Sequence, residues 1–434
     1  MTPAARLAAA AELLAAIGAA ATPAEQHVGS YFRNRRYAGS KDRRWVTEFV
    51  YRALRRQGEL DAVSLAAGLE VSPRSHCLLS LILFEDVAVE ALAAGWFGGA
   101  HGLDDLTPEE AAALEKAAEI DLESLPLAAR CNFPDWLARK LLDQYGARAA
   151  EIMAAYGERA PVTLRVNALK GSRSDIRYFL ANEGIDVTPT TLSPDGLILD
   201  ARLNLSRHPL LENGRIELQD EAAQVASRLA GAAPGMTVVD YCAGGGGKSL
   251  AMAAGMAHTG KIHAFDTEER RMRDITGRAR RAGVSLIEPL VIHGDDRDAE
   301  LLAPLVGAAD RVFVDAPCSG SGTWRRQPDM KWKLTEARLA ELAELQADIL
   351  RRAAPLVAPG GRLIYATCSI LAAENEDQIR AFLLSHPAFT LIPVSTIWEA
   401  VGLDGRWDSD FFALTPADYG TDGFFTAVLE RAEG

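Results

Sequence analysis

Apolar positions change their spacing along this chain, and the changes divide it into regions of different architecture. Leu7, Leu13, Leu14 and Ile17 form one stripe at helical spacing. The apolar members of Trp45-Val46-Thr47-Glu48-Phe49-Val50-Tyr51, continued by Leu54, form another. They predict an all-helical domain over residues 1–125, whose last part, Gly98 to Glu123, is acidic and is followed by Pro126. Residues 126–234 mix the two periods. A strand at Val162-Thr163-Leu164-Arg165-Val166-Asn167, a helix starting near Ser172 and a strand at Gly196-Leu197-Ile198-Leu199 predict a small α+β module there. From Gly235 to the end, short apolar runs alternate regularly with helical stretches. The runs are Thr237-Val238-Val239-Asp240, Lys261-Ile262-His263-Ala264-Phe265-Asp266, Pro289-Leu290-Val291-Ile292-His293, Arg311 to Asp315 and Arg362 to Ala366. This alternation predicts an α/β domain over 235–434 with a parallel, doubly wound sheet.

Composition narrows the function classes. With 48% hydrophobic and 24% charged residues over 434 positions, the chain is ordinary globular protein rather than disordered polymer. A net charge of −13 argues against coating nucleic acid by overall charge, but leaves room for a local basic face. One such block is Arg33, Arg35, Arg36, Lys41, Arg43, Arg44, Arg52, Arg55 and Arg56, with Tyr31, Phe32 and Tyr37 among them. It reads either as a phosphate-facing surface or as a solvated helix face. Five cysteines without a CxxC pair form neither a disulfide nor a zinc framework, so no metal is expected and the cytoplasm is the expected compartment. The Ala-rich start, Arg6 to Ala21, is interrupted by Glu12 and reads as a helix rather than a signal peptide. No apolar run reaches the length of a membrane helix, and a monomer away from membranes is expected.

The chemistry gathers where strands end. Cys242-Ala243-Gly244-Gly245-Gly246-Gly247-Lys248-Ser249 follows the first strand of the α/β domain. It misses the phosphate-binding pattern GxxxxGK[ST] only at Cys242, and the dinucleotide pattern at Ser249, where a third glycine would stand. Asp266 closes the second strand, where a carboxylate accepts from ribose hydroxyls, and Asp295 after Gly294 closes the third, where it can take an adenine amino group. A nucleoside without a phosphate chain needs these contacts plus a closely approached glycine turn. S-adenosyl-L-methionine fits better than ATP. Two thiols end the fourth and fifth strands, in Asp315-Ala316-Pro317-Cys318-Ser319-Gly320 and Ala366-Thr367-Cys368-Ser369. Both should face one crevice, and the pair suggests attack of a thiolate on a ring carbon. Cys77, Cys131 and Cys242 read as core or loop residues.

These motifs resemble the RsmB/NOP/Sun family of RNA 5-methylcytosine methyltransferases. The similar elements are Asp240-Tyr241-Cys242-Ala243 with Gly246-Gly247-Lys248, Asp266 with Arg271, Gly294-Asp295, and both thiol motifs. Arg325-Arg326-Gln327-Pro328-Asp329-Met330-Lys331-Trp332, Asp422-Gly423-Phe424-Phe425 and Leu164-Arg165-Val166-Asn167 also match. Gly39-Ser40-Lys41-Asp42-Arg43-Arg44 and its helices look like the NusB-type RNA-binding domain of the RsmB branch. The resemblance implies a Rossmann-like class I methyltransferase domain over 235–434, a small RNA-recognition module over 126–234 and a NusB-like domain over 1–125. It also implies that S-adenosyl-L-methionine is bound by Cys242, Ala243, Gly244, Gly245, Gly246, Gly247, Lys248, Asp266, Arg271, Asp295 and Asp315. Gly244 and Gly245 replace the alanine and proline usual in the family's loop, which makes a more flexible turn.

The implied catalytic set is Cys368 as nucleophile, Cys318 assisting breakdown of the adduct, Asp315 on the N3/amino edge of cytosine, and Lys248. DNA cytosine methyltransferases use the cysteine of a Pro-Cys motif instead, which keeps the reversed assignment open. Lys248 either lowers a thiol pKa and moves protons or is a loop lysine held by a carboxylate. Arg325, Arg326 and Lys331, extended by Arg165 and Lys170, are expected to hold RNA phosphates. The implied activity is cytosine-5 methylation of rRNA, with 16S rRNA favoured. Alternatives are a tRNA cytosine-5 methyltransferase, a P-loop-like NTPase and a non-catalytic RNA-binding assembly factor.

Overall fold

The computed structural model describes residues 1–98, 101–200, 203, 205 and 207–433, so positions 99 and 100 of the acidic stretch lie outside it. The chain divides into two compact units. One is Met1–Arg159 together with Trp324–Thr335, and the other is Ala160–Thr323 together with Glu336–Gly434. Borders of these units thus fall neither at 125 nor at 234.

The first unit is helical. Thr2 accepts a hydrogen bond from the Ala5 amide and caps Pro3–Gly18, whose Leu7, Leu13, Leu14 and Ile17 are buried. They join Val46, Phe49, Val50 and Leu54 of Ser40–Arg55 and Leu78, Leu79 and Leu81 of Pro73–Glu85 in one core. Asp42 accepts from the Met1 amino group at 2.9 Å and from Arg6 at 2.7 Å. Trp324–Thr335 is packed into this unit. Trp324 is 1% exposed and lies 6.0 Å from the rings of Phe133 and Tyr156. Asp329 accepts from the Ala24 amide at 3.1 Å and from Lys333 at 2.6 Å.

The second unit begins with a four-stranded antiparallel sheet. Its strands are β1 (Val162–Val166), β2 (Val187–Pro189), β3 (Gly196–Leu199) and β4 (Ile216–Leu218), in the order β2-β3-β1-β4. A capping box at Ser172 starts the helix Arg173–Asn182, whose Ile176 and Leu180 pack on Leu164, Val166 and Leu197.

The larger sheet holds β5 (Thr237–Asp240), β6 (Lys261–Asp266), β7 (Ile287–Val291), β8 (Ala309–Asp315), β9 (Val357–Thr367), β10 (Phe389–Ile392), β11 (Phe412–Leu414) and β12 (Phe424–Arg431). Its order is β10-β12-β9-β8-β5-β6-β7, with β11 on β12. Strands β5 to β9 pair in parallel, whereas β12 runs antiparallel to β9 and to β10. The sheet is therefore mixed at one edge rather than wholly parallel. Val239, Val312, Val314, Leu363 and Tyr365 face one apolar layer, and Val238, Phe313, Ile364 and Ala366 face the other, as period-2 alternation demands. Strand order turns back at β5, with β6 and β7 on one side and β8 and β9 on the other. A crevice at the carboxyl ends follows from this reversal. Among the described residues, no helix is long and apolar enough to cross a membrane.

Candidate active site

The glycine loop joins β5 to the helix Gly247–Gly255. Gly244 and Gly246 adopt φ of +54° and +78°, a region where side chains are disfavoured. At Gly246 a side chain would meet Ile275 at 2.9 Å, whereas nothing lies within 4 Å of that point at Gly244. The loop is held from beneath. Arg278 donates to the Gly245 carbonyl and pairs with Glu217 at 2.8 Å, and Arg165 donates to the Gly247 carbonyl at 3.4 Å. Behind it, Ser249 donates to the fully buried Asp240 at 2.6 Å. Burial pushes the Asp240 carboxyl up to about 7.

Asp266, at the end of β6, accepts from the amides of Gly244 and Glu268, both at 2.8 Å. Asp295 caps the short turn Asp296–Asp298 and forms a two-oxygen pair with the exposed Arg297. Arg271 lies on the solvent side of Glu269–Ala282, paired with Glu268 at 2.9 Å.

The thiols meet as their strand-end positions require: Cys318 Sγ and Cys368 Sγ are 3.4 Å apart. Parallel pairing of Asp315 with Ala366 fixes the register from which both turns leave the sheet. Across the crevice, the Lys248 ammonium donates to Asp315 at 2.5 Å and stands 5.4 Å from the centre of the Phe424 ring. Burial works against the charge of Lys248, but the neighbouring Asp315 charge and hydrogen bond outweigh it and hold the group above its usual range. For Cys318, the hydrogen bond to Cys368 and burial push the thiol well up. Cys242, next to the glycine loop, is also pushed well up by burial, while Cys77 lies in the helical core.

The remaining framework was not legible in the motifs. Glu374 is buried and accepts from Ser319 and Ser369, the residues that follow the two thiols. Thr367 donates to Asn375 at 2.5 Å, and Asn375 donates to the Ser369 carbonyl at 2.9 Å. Gly322 and Gly423 bring their backbones together: a side chain on Gly322 would lie 1.9 Å from the Gly423 carbonyl oxygen. This approach ties the end of the Cys318 turn to the start of β12.

Part of the expected phosphate surface is corrected. Arg165, Arg325 and Lys331 are 5%, 3% and 1% exposed, because each is packed inside its own unit. Lys170 is committed to the carbonyls of Asn213 and Arg281. In the N-terminal block, Arg35, Arg52 and Arg56 pair with Glu12, Glu85 and Glu59 and are half-buried, while Arg33, Arg36, Lys41 and Arg44 are exposed, Arg44 with Glu48 as its partner at 3.2 Å.

Comparison with known proteins agrees with this layout. Residues 229–430 match the family model described as 16S rRNA methyltransferase RsmB/F, and residues 133–206 match the RsmF/B-like ferredoxin-like domain. The chain is 31% identical to the probable ribosomal RNA small subunit methyltransferase B of Synechocystis sp. over 90% of its own length and 92% of that protein. To the probable ribosomal RNA small subunit methyltransferase B of Bacillus subtilis it is 35% identical, over 70% of this chain and 68% of the relative. The crystal structure of PH0851 superposes with a TM-score of 0.76, at 27% identity and 99% coverage of both chains. Strand-end thiols, glycine loop and ferredoxin-like sheet thus occur together in a chain that belongs to the RsmB/F family of S-adenosylmethionine-dependent rRNA methyltransferases.

Proposed function

We propose that this chain methylates carbon 5 of a cytosine in 16S rRNA through a covalent bond between Cys368 and carbon 6 of the base. The observation that carries this reading is the pair of thiols 3.4 Å apart at the ends of adjacent parallel strands. Carbon 5 of cytosine is a poor nucleophile until a thiolate adds at carbon 6, which converts the ring into an enamine. Cys368 makes that bond. Asp315, at the end of β8, hydrogen-bonds the N3/amino edge and favours protonation at N3 during the addition. Lys248, hydrogen-bonded to Asp315, brings a positive charge into the crevice. After methylation, carbon 5 loses its proton, the bond from carbon 6 to sulfur breaks and Cys368 leaves as thiolate. Cys318 assists this second stage.

The residues fit S-adenosylmethionine, which supplies an electrophilic methyl group when bound. Gly244 has open space where a side chain would stand, so the loop backbone can be approached closely. Asp266 offers its carboxylate to ribose hydroxyls at a strand end, and Asp295 with Arg271 lies on the adenine side. The helical unit, which resembles a NusB-type domain, contributes Arg33, Arg36, Lys41 and Arg44 to RNA phosphates. A base must leave its stack to reach Cys368, so loosened or single-stranded rRNA is the substrate form.

The test is methylation of 16S rRNA transcripts with methyl-labelled cofactor, followed by nucleoside analysis and bisulfite mapping. The label should appear as 5-methylcytidine at discrete positions. Label in any other nucleoside would overturn the reading.

A further inference from the structure

Glu374 lies outside every motif that the proposed reaction uses, yet it touches both thiol turns. Its Oε1 accepts from the Ser319 amide at 2.7 Å and from Gln346 Nε2 at 3.1 Å. Its Oε2 accepts from the hydroxyls of Ser319 and Ser369, each at 2.5 Å. Tyr365 donates to its backbone carbonyl at 2.6 Å. The residue has no solvent exposure, and four donors converge on one carboxylate. Ser319 and Ser369 directly follow Cys318 and Cys368 and come from turns after different strands. Gln346 also donates to the Pro317 carbonyl at 2.9 Å, so the Cys318 turn is held on both sides of its thiol.

We propose that Glu374 is a positioning residue whose buried carboxylate sets the distance between the two thiols by clamping the two Cys-Ser turns together. The proposal deepens the cytosine-5 reading and rests on it for its meaning in catalysis. A second consequence follows from charge. The groups that face Cys318 are Cys368, Glu374 and Tyr365, with the Lys248–Asp315 pair beyond Cys368. Glu374 puts a negative charge on the Cys318 side of the pair, which favours the neutral thiol there, while the Lys248 ammonium is held by Asp315. The clamp thereby acts on the charge state of Cys318 as well as on its position.

The test uses the full chain without RNA or cofactor, so its failure is distinct from failure of the methylation reading. The effective concentration of the Cys318–Cys368 pair is measured by equilibrating its disulfide with a glutathione buffer and quantifying both forms by mass spectrometry. Glu374→Gln should lower it about tenfold or more, since a small displacement of reacting groups has effects of that size. Alkylation of Cys318 by iodoacetamide in a Cys368→Ala background should move to lower pH in Glu374→Gln. In Glu374→Asp, which keeps the charge, that profile should stay where it is. If Glu374→Gln does not fold, the Ser319→Ala/Ser369→Ala double variant removes two of the donors and should lower the effective concentration in the same way. A wild-type effective concentration in the folded variants overturns the clamp. An unmoved Cys318 profile in Glu374→Gln overturns its electrostatic part.

Discussion

Asp266 combines a strand-end position with two backbone hydrogen bonds, one of them to the glycine loop. Its carboxylate therefore shapes the loop as well as facing the crevice. Asp266→Ala should weaken S-adenosylmethionine binding by about 1–3 kcal/mol in calorimetry, the range for losing a charged hydrogen-bond partner. Unchanged affinity would remove Asp266 from the cofactor site. The contrast with Glu374 shows which residues the sequence exposes. Cys318, Cys368, Asp266 and Lys248 are legible because each stands at a strand end or in a glycine turn, positions whose surroundings are set by local pattern. Glu374 sits in Glu374-Asn375-Glu376-Asp377, beyond the end of the strand that carries Cys368 and outside the motifs quoted above. Its burial depends on Ser319 and Gln346, 55 and 28 positions away in sequence. Arg165 and Lys331 fail in the opposite direction: basic residues beside family motifs read as phosphate ligands until packing shows them inside.

Element by element, the strands that carry the crevice were legible and the edges were not. The expected strand at Pro289 to His293 is β7 at Ile287–Val291, an edge strand with Leu290 and Val291 exposed, so burial gives its limits little definition. Strand β9 begins at Val357 rather than Arg362: the chain through Ala358-Pro359-Gly360-Gly361 continues the ladder on the far side of a register shift. The segment Trp324–Thr335 leaves the catalytic unit in sequence but belongs by packing to the helical one, and no periodicity announces that. Its Lys331 is fully buried, 4.9 Å from the Phe133 ring centre. Burial, then the positive charge of Arg55, lower its pKa to about 7, against smaller opposing effects of Cys131 and Glu59. Between the ordinary lysine range and about 7 the unfolded chain holds this proton while the folded one does not. Stability from this site is thus greatest above the ordinary lysine range and is lost as pH falls toward about 7. Lys331→Met should flatten that slope and stabilise the protein at pH near 6.5 by on the order of a few kcal/mol. Thermal unfolding across this pH range checks it, and parallel curves for variant and wild type would contradict it.

At the scale of the whole molecule, an acidic chain has to meet a polyanion through local charge. The exposed members of the N-terminal block, Arg33, Arg36, Lys41 and Arg44, are the groups available for this; Arg44 pairs with Glu48 at 3.2 Å but stays largely exposed, whereas Arg35, Arg52 and Arg56 are both paired with carboxylates and half-buried. Arg33→Glu, Arg36→Glu and Arg44→Glu together should weaken rRNA binding and reduce the slope of log affinity against log salt by roughly 0.7–0.9 per lost phosphate contact. An unchanged slope would return these arginines to a solvated face. Denaturing electrophoresis of protein–rRNA complexes separates the roles of the two thiols. Cys318→Ala should attack the base and stall before release, leaving a covalent band that survives denaturation. Cys368→Ala and the double variant should show no band and no methylated product. A band in Cys368→Ala would reverse the two roles, and methylation by both single variants at the wild-type rate, with no band in any, would contradict thiol catalysis.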